Sequence, residues 1–240
     1  MQSRKFKVAM IICALAFIGV IILFSPFFYL EEVIIRGYNT VSRQEIEERL
    51  EITGTTNLLF FNLGSARRRL TENLYIANVE FTRRLPGTLY VEVQERRLAA
   101  YVEHTPGMFL FLDEFGRVLE VRSFTTQPLP VIEGLNFNHF ALGEVLQVPD
   151  TTAFNIMTQY AQLIYRHGLV SRVTHINVSD TANTRILVGY IEFNVGGIDD
   201  AELKVRTIAG MLSEMPEAEF ARGFVDLREN RPEIFFEILT

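Results

Sequence analysis

The side chains best suited to chemistry in this 240-residue chain are four histidines, His104, His139, His167 and His175, a single Cys13, and two adjacent carboxylate pairs, Asp113-Glu114 and Asp199-Asp200. A zinc site would need His and Cys ligands at short helical or hairpin spacing. The histidines have no such spacing and Cys13 lies in an apolar run, so no metal is expected. Both carboxylate pairs fall in turn or helix-start sequences, where acidic side chains shape the backbone or complement the helix dipole. Acid–base catalysis would need a cleft and a displaced pKa, which neither pair signals. Val195-Gly196-Gly197-Ile198-Asp199-Asp200 stands between a strand and a helix, where a phosphate-binding loop would stand. It lacks the spaced glycines, Lys and Ser or Thr of such loops, and it puts two carboxylates where the anion would sit. No Gly-x-Ser-x-Gly elbow and no Cys/His pair occurs. The chain is therefore not expected to be an enzyme, and no cofactor or small-molecule substrate is expected.

Chemistry of recognition is a better match. The net charge is −6, and removing the basic residues at the N-terminus leaves the remainder more acidic still. Such a surface does not favour nucleic acid. Arg67-Arg68-Arg69 and Arg83-Arg84 are expected to be a solvated helix face and strand end, with a docking patch as the alternative. Near the C-terminus, Phe224-Val225-Asp226-Leu227-Arg228 and Ile234-Phe235-Phe236-Glu237-Ile238-Leu239 are strand-like. An apolar terminal strand with an open edge offers unpaired N–H and C=O groups to a partner's strand. Packing on its own sheet would occupy its apolar face and still leave that edge free.

These features need elements to hold them, beginning with the N-terminus. Val8 to Phe24 contains no charged side chain, and Ser25-Pro26 leads into Phe27-Phe28-Tyr29-Leu30. Val8 to Leu30 as a helix would rise roughly 34 Å, against a hydrocarbon core of about 30 Å. Val8, Ile11, Leu15, Phe17, Ile21 and Phe24 are its expected lipid-facing anchors. Arg4, Lys5 and Lys7 precede the span while Glu31 and Glu32 follow it, which places the N-terminus in the cytoplasm and the bulk outside. A cleaved signal peptide would end at small residues, and the Pro26-Phe27-Phe28 exit does not. Cys13 is the only cysteine, so stability outside the membrane must come from packing.

Beyond the span, residues 31–99 read as strand, helix, helix, strand, strand. Glu32 to Arg36 is a short β run closed by Gly37-Tyr38-Asn39, and Ser42 with Glu45 makes a capping box ahead of Ile46 and Leu50. An apolar patch, Leu58-Leu59-Phe60-Phe61, precedes a second helix from about Ser65 to Leu70. Val79 and Phe81 alternate with polar residues, Leu85-Pro86-Gly87-Thr88 turns, and Leu89, Val91 and Val93 return on one face. From residue 100 the pattern is mostly β: a hairpin from Met108 to Val121, a connection at Gln127-Pro128-Leu129-Pro130, and strands at Val173 to Val178 and Ile186 to Val195. Two helices interrupt it, one from about Asp150 to Gly168 and one from Asp199-Asp200 carrying Leu203, Ile208, Met211, Leu212 and Met215.

The basic head, the single span, Val33-Ile34-Ile35-Arg36-Gly37 and the run from Val79 to Val93 with Glu95-Arg96 resemble a POTRA domain. With Phe111 to Val118, Leu129-Pro130-Val131-Ile132 and Val225-Asp226-Leu227-Arg228, the whole chain resembles the FtsQ/DivIB family of bacterial cell-division proteins. The resemblance implies an α+β fold: cytoplasmic head 1–7, transmembrane helix 8–30, POTRA domain 31–99 (β-α-α-β-β), a mostly antiparallel β domain with two helices over 100–228, and a C-terminal strand or tail 229–240. It also implies a non-enzymatic scaffold at the division septum, single-pass in the cell membrane. Its partners would be FtsB/DivIC-like and FtsL-like proteins and, indirectly, FtsW and FtsI, in control of septal peptidoglycan synthesis. Strand addition in the family maps onto Phe224, Val225, Leu227, Arg228, Ile234, Phe235, Phe236 and Ile238, although Asn230-Arg231-Pro232 departs from the pattern. A POTRA-bearing component of a secretion or assembly system is the alternative reading; it would need a long transmembrane barrel that about 140 residues with two helices do not supply.

Overall fold

The computed structural model describes residues 2–123, 128–214, 222–228 and 233–237. Two compact units divide after Arg96, so Leu98 and Ala99 belong to the first strand of the second unit.

Helix α1 (Gln2–Leu23) opens unit 1 and is exposed along its described face; its window Phe6–Leu23 has a mean hydropathy of 2.8. Val8, Ile11, Leu15, Phe17 and Ile21 lie on it, and Phe24 follows its last turn. The helix does not continue to Leu30 as the apolar run predicts. Ser25 is extended, as a residue before proline tends to be, and its hydroxyl accepts the Phe27 N–H to start a single 3₁₀ turn, Pro26–Phe28. Tyr29 then bridges Asn57, and Leu30 is buried in the core of unit 1, its N–H donated to the Thr56 carbonyl at 2.8 Å. Phe27 to Leu30 thus belong to the folded unit, not to the long helix.

The rest of unit 1 is β1 (Glu32–Arg36), α2 (Arg43–Leu50), α3 (Leu63–Thr71), β2 (Ile76–Arg84) and β3 (Thr88–Glu95), with sheet order β1-β3-β2. β2 and β3 are antiparallel neighbours, while β1 reaches β3 only after a two-helix crossover and so lies parallel to it. Ser42 accepts the Glu45 N–H as expected; α3 starts at Leu63, two positions ahead of Ser65, because the Asn62 side chain caps it. Ile46, Leu50, Ala66 and Leu70 from the helices meet Ile35, Val79, Leu89, Val91 and Val93 from one sheet face.

Unit 2 is a nine-stranded mixed sheet with two helices. Its strands are β4 (Leu98–Thr105), β5 (Met108–Asp113), β6 (Val118–Arg122), β7 (Val131–Glu133), β8 (Val173–Asn177), β9 (Arg185–Val188), β10 (Ile191–Asn194), β11 (Arg222–Asp226) and β12 (Glu233–Glu237), in the order β12-β11-β10-β9-β8-β7-β4-β5-β6. Antiparallel joints predominate, with parallel ones at β4/β7, β7/β8 and β10/β11. α4 (Thr151–Arg166) is capped by Asp150, which accepts the Thr152 and Ala153 N–H groups, and ends at Gly168 with φ +69°. α5 (Ala201–Glu214) buries Ala201, Val205, Ile208 and Leu212, whereas Leu203 is exposed. The Ile186–Val195 run is a hairpin rather than one strand, because Gly189 at φ +59° lets the chain reverse before Tyr190.

Candidate partner-binding edge

The end of the nine-stranded sheet is built outward from β10. β11 lies parallel to it, with Phe193 opposite Val225 and Asn194 opposite Asp226, and Leu227 extends the pairing by donating its N–H to the Asn194 carbonyl at 2.8 Å. Val225 and Leu227 are buried in the core of unit 2. β12 is antiparallel to β11, with Phe224 opposite Phe235 and Val225 opposite Ile234. Among the described residues β12 has β11 on one side and no strand on the other. This is the geometry that strand addition requires.

Charged groups hold the turn beside that edge. Arg228 donates from Nε to Asp226 Oδ1 and Oδ2, both at 3.0 Å, from its terminal nitrogens to Asp226 Oδ2 at 2.5 Å and Asn183 Oδ1 at 2.7 Å, and its backbone N–H also goes to Asp226. These bonds from Arg228 hold the Asp226 carboxyl below the usual range against a smaller opposing effect of burial. The Arg228 stem passes so close to Gly196, at φ +62°, that a Cβ there would lie 3.0 Å from its Cγ. Lys204 is buried and donates to the Val195 carbonyl at 2.8 Å, while the Tyr160 hydroxyl donates to the Gly197 carbonyl at 2.8 Å. Burial pushes the Tyr160 hydroxyl up, and the nearby Asp199 charge adds to this. The glycine loop thus presents carbonyls to an internal ammonium and an internal phenol, the reverse of a phosphate cradle.

Of the residues the sequence points to, Val225 and Leu227 are core, so their side chains do not reach a partner. Arg228 is exposed yet bound to Asp226 and Asn183, and Phe224 is half-buried. Ile234, Phe235 and Phe236 lie in β12, and Ile238 falls outside the described residues. Lys204, Asn183 and Asn194 escaped the sequence reading because the first interrupts an apolar helix pattern and the others sit in turns or strand ends far away in sequence. The spacing Ala201, Val205, Ile208, Leu212 was the available signal for which face of α5 is inward.

The other candidates do structural work. Arg67, Arg68, Arg83 and Arg84 are exposed, as a solvated face requires, while Arg69 donates to the Arg49 and Leu50 carbonyls, Arg67 to Val79 and Arg83 to Phe61, so these three also serve neighbouring backbone. Asp113 Oδ1 accepts the Phe115 and Arg117 N–H groups inside its hairpin. His104 stacks on Phe137, and His167 Nε2 lies 2.8 Å from Glu202 Oε1. Among the described residues no His, Cys, Asp or Glu group is arranged to hold a metal ion.

Residues 28–96 match the model of the POTRA domain, FtsQ-type. The match begins inside the 3₁₀ turn and ends where unit 1 ends. Cell division protein DivIB of Clostridium botulinum strain Hall is 25% identical over 214 residues, covering 88% of this chain and 83% of its own. The DivIB of Clostridium tetani is 21% identical over 88% of this chain and 81% of its own. This chain carries an FtsQ-type POTRA domain and is similar over most of its length to DivIB cell-division proteins. Cell division protein FtsQ of Rickettsia bellii is 33% identical over 125 residues, 50% of this chain and 45% of that protein. The POTRA unit is the part carried by the family model, and the long DivIB alignments extend the similarity through most of unit 2.

Proposed function

We propose that this chain is a non-enzymatic, membrane-anchored scaffold of the division machinery, in which β12 receives a strand from an FtsB/DivIC-like protein held together with an FtsL-like one. Through them it influences FtsW and FtsI and so the synthesis of septal peptidoglycan. The observation that supports this reading is the outer side of β12 at the end of the nine-stranded sheet, which no strand covers among the described residues. Backbone N–H and C=O groups along that side give affinity to an added strand, and the side chains of Phe224, Ile234, Phe235, Phe236 and Ile238 give it selectivity. Val225, Leu227 and Arg228 contribute indirectly, by fixing where β11 and hence β12 lie. Unit 2 from about residue 100 acts as the platform. Arg4, Lys5 and Lys7 on the inner flank of α1 favour a cytoplasmic N-terminus, with both units outside and confined to the septum.

The test is affinity capture of the full chain from detergent-solubilised membranes of dividing cells, with the co-purifying chains identified. FtsB/DivIC-like and FtsL-like proteins are expected in the capture, and Phe235→Glu or Phe236→Glu is expected to reduce them at least about tenfold, equivalent to about 1.4 kcal/mol. Absence of these proteins when they are expressed overturns the scaffold reading. Unchanged capture by both variants, with melting unaltered, removes β12 from the interface.

A further inference from the structure

The long apolar helix is too short for the job its composition implies. The part of α1 without a charged side chain, Val8–Leu23, rises about 24 Å, whereas the hydrocarbon core is about 30 Å thick. Lys7, just before it, is long enough to place its ammonium at the inner headgroups. Something apolar must complete the outer end.

Unit 1 supplies it from a distant part of the sequence. The Asn57 side chain donates to the Leu23 carbonyl at 2.8 Å, tying the loop before α3 to the last turn of α1, and its Oδ1 accepts the Leu59 N–H at 2.9 Å. Leu58 donates its N–H to the Phe28 carbonyl at 2.8 Å. Phe60 stacks on Phe24, with ring centroids 4.8 Å apart and planes 19° from parallel. Phe24, Phe27 and Phe60 nevertheless remain 62%, 64% and 54% exposed, a cluster of bare aromatic rings at the mouth of the span on an otherwise well-buried unit. Arg83, whose guanidinium donates to the Phe61 carbonyl, sets a cation beside the rings. Bare phenyl rings continuing the end of an apolar helix suit the boundary between headgroups and acyl chains.

We infer that Phe24, Phe27 and Phe60 form a lipid-seated collar, so that the POTRA unit rests on the outer leaflet instead of swinging on a free tether. Its occupant is the acyl-chain boundary of the bilayer, identified by continuity with α1: a ring stacked on the residue that follows the helix cannot lie at a different depth from it. The inference rests on α1 being membrane-inserted.

The chain has no tryptophan, so single substitutions report depth by fluorescence. The full chain is reconstituted in phosphatidylcholine vesicles brominated either near the headgroup end or deep in the acyl chain, as Phe17→Trp, Phe27→Trp, Phe60→Trp and Tyr38→Trp. Tyr38 follows the far end of β1 and serves as the aqueous reference. Phe17→Trp is expected to be quenched most by deep bromine. Phe60→Trp and Phe27→Trp are expected to emit at shorter wavelength than Tyr38→Trp and to lose most intensity with shallow bromine. Quenching of Phe17→Trp without quenching of Phe60→Trp and Phe27→Trp overturns the collar and leaves the anchor standing. An unquenched Phe17→Trp overturns the anchor and the collar with it. Phe27→Trp reports the same surface through a different element, so local disturbance at Phe60 does not decide the result.

Discussion

The two sheets solve the problem of their own edges in opposite ways. In unit 1, side chains from one element repeatedly end on the backbone of another: Arg49 and Arg69 cross between the two helices, and Arg96 donates to the Leu74 and Ile76 carbonyls. Glu95 accepts the Asn39, Thr40 and Val41 N–H groups at 2.9, 2.7 and 2.9 Å. Its outer strand β2 also ends in exposed Arg83 and Arg84. Charge of this kind discourages further pairing. In unit 2, the sheet instead ends, among the described residues, at β12, which is placed by its antiparallel register on β11. On the reading proposed above, β12 is the edge offered to a partner strand, and β2 is an edge guarded by charge.

The largest expected effect follows from the apolar anchoring of β11. Leu227→Ala removes a side chain that is 5% exposed and leaves a cavity where β11 meets the core, at a cost of about 2–4 kcal/mol. In calorimetry of the full chain, the transition belonging to unit 2 should fall while that of unit 1 stays in place. Equal shifts in both would mean that the two units do not stand as separately packed bodies, and the contrast between them would be lost.

The next effect belongs to Glu95. Burial works to raise its pKa, but the three backbone N–H bonds, that from Thr40 foremost, outweigh burial and hold the carboxyl below the ordinary glutamate range. A depressed folded-state pKa means stability that is present above the unfolded-state value, near 4.3, and lost as pH falls through the folded one. Glu95→Gln keeps one carbonyl acceptor and gives up the charge, so unit 1 should lose about 1–2 kcal/mol at neutral pH, the lower figures reflecting its partial exposure. As pH falls through the folded-state pKa, the variant and the parent should converge. A difference that persists unchanged in acid would assign the effect to packing and not to the charged acceptor.

Much of this division was legible in the sequence, for physical reasons. Period-two alternation at Leu89, Val91 and Val93 reports burial on one face, and Ser42 and Asp150 cap because a short polar side chain can reach the first free N–H groups. The misreadings share one cause, namely that hydropathy says a residue is apolar without saying what covers it. Phe27 to Leu30 extended the apolar run of α1, yet Pro26 turns them into unit 1. Val225 and Leu227 looked like recognition residues and are core. The three residues of β7 carry too little pattern to register, and the arginine-to-carbonyl bonds of unit 1 join positions about 20 apart that no local rule connects.

Lys204 is expected to give the smallest effect, and it tests whether charge matters structurally in unit 2 as it does in unit 1. Burial lowers its pKa, and Asp199, Asp200 and Asp226 oppose this without overcoming it. The unfolded chain therefore binds a proton more tightly at this position than the folded chain does, so stability contributed here rises with pH between the lowered value and about 10.4. Lys204→Met removes the desolvated charge and the bond to the Val195 carbonyl together. The two losses offset, and stability at pH 7 should change by about 1 kcal/mol or less. Denaturant melts at pH 7 and pH 9.5 check the sign: the parent should gain on the variant as pH rises. A loss of several kcal/mol at pH 7 would make Lys204 a tie of the same kind as Arg69 and would erase the distinction between a polar-braced unit and an apolar-anchored one.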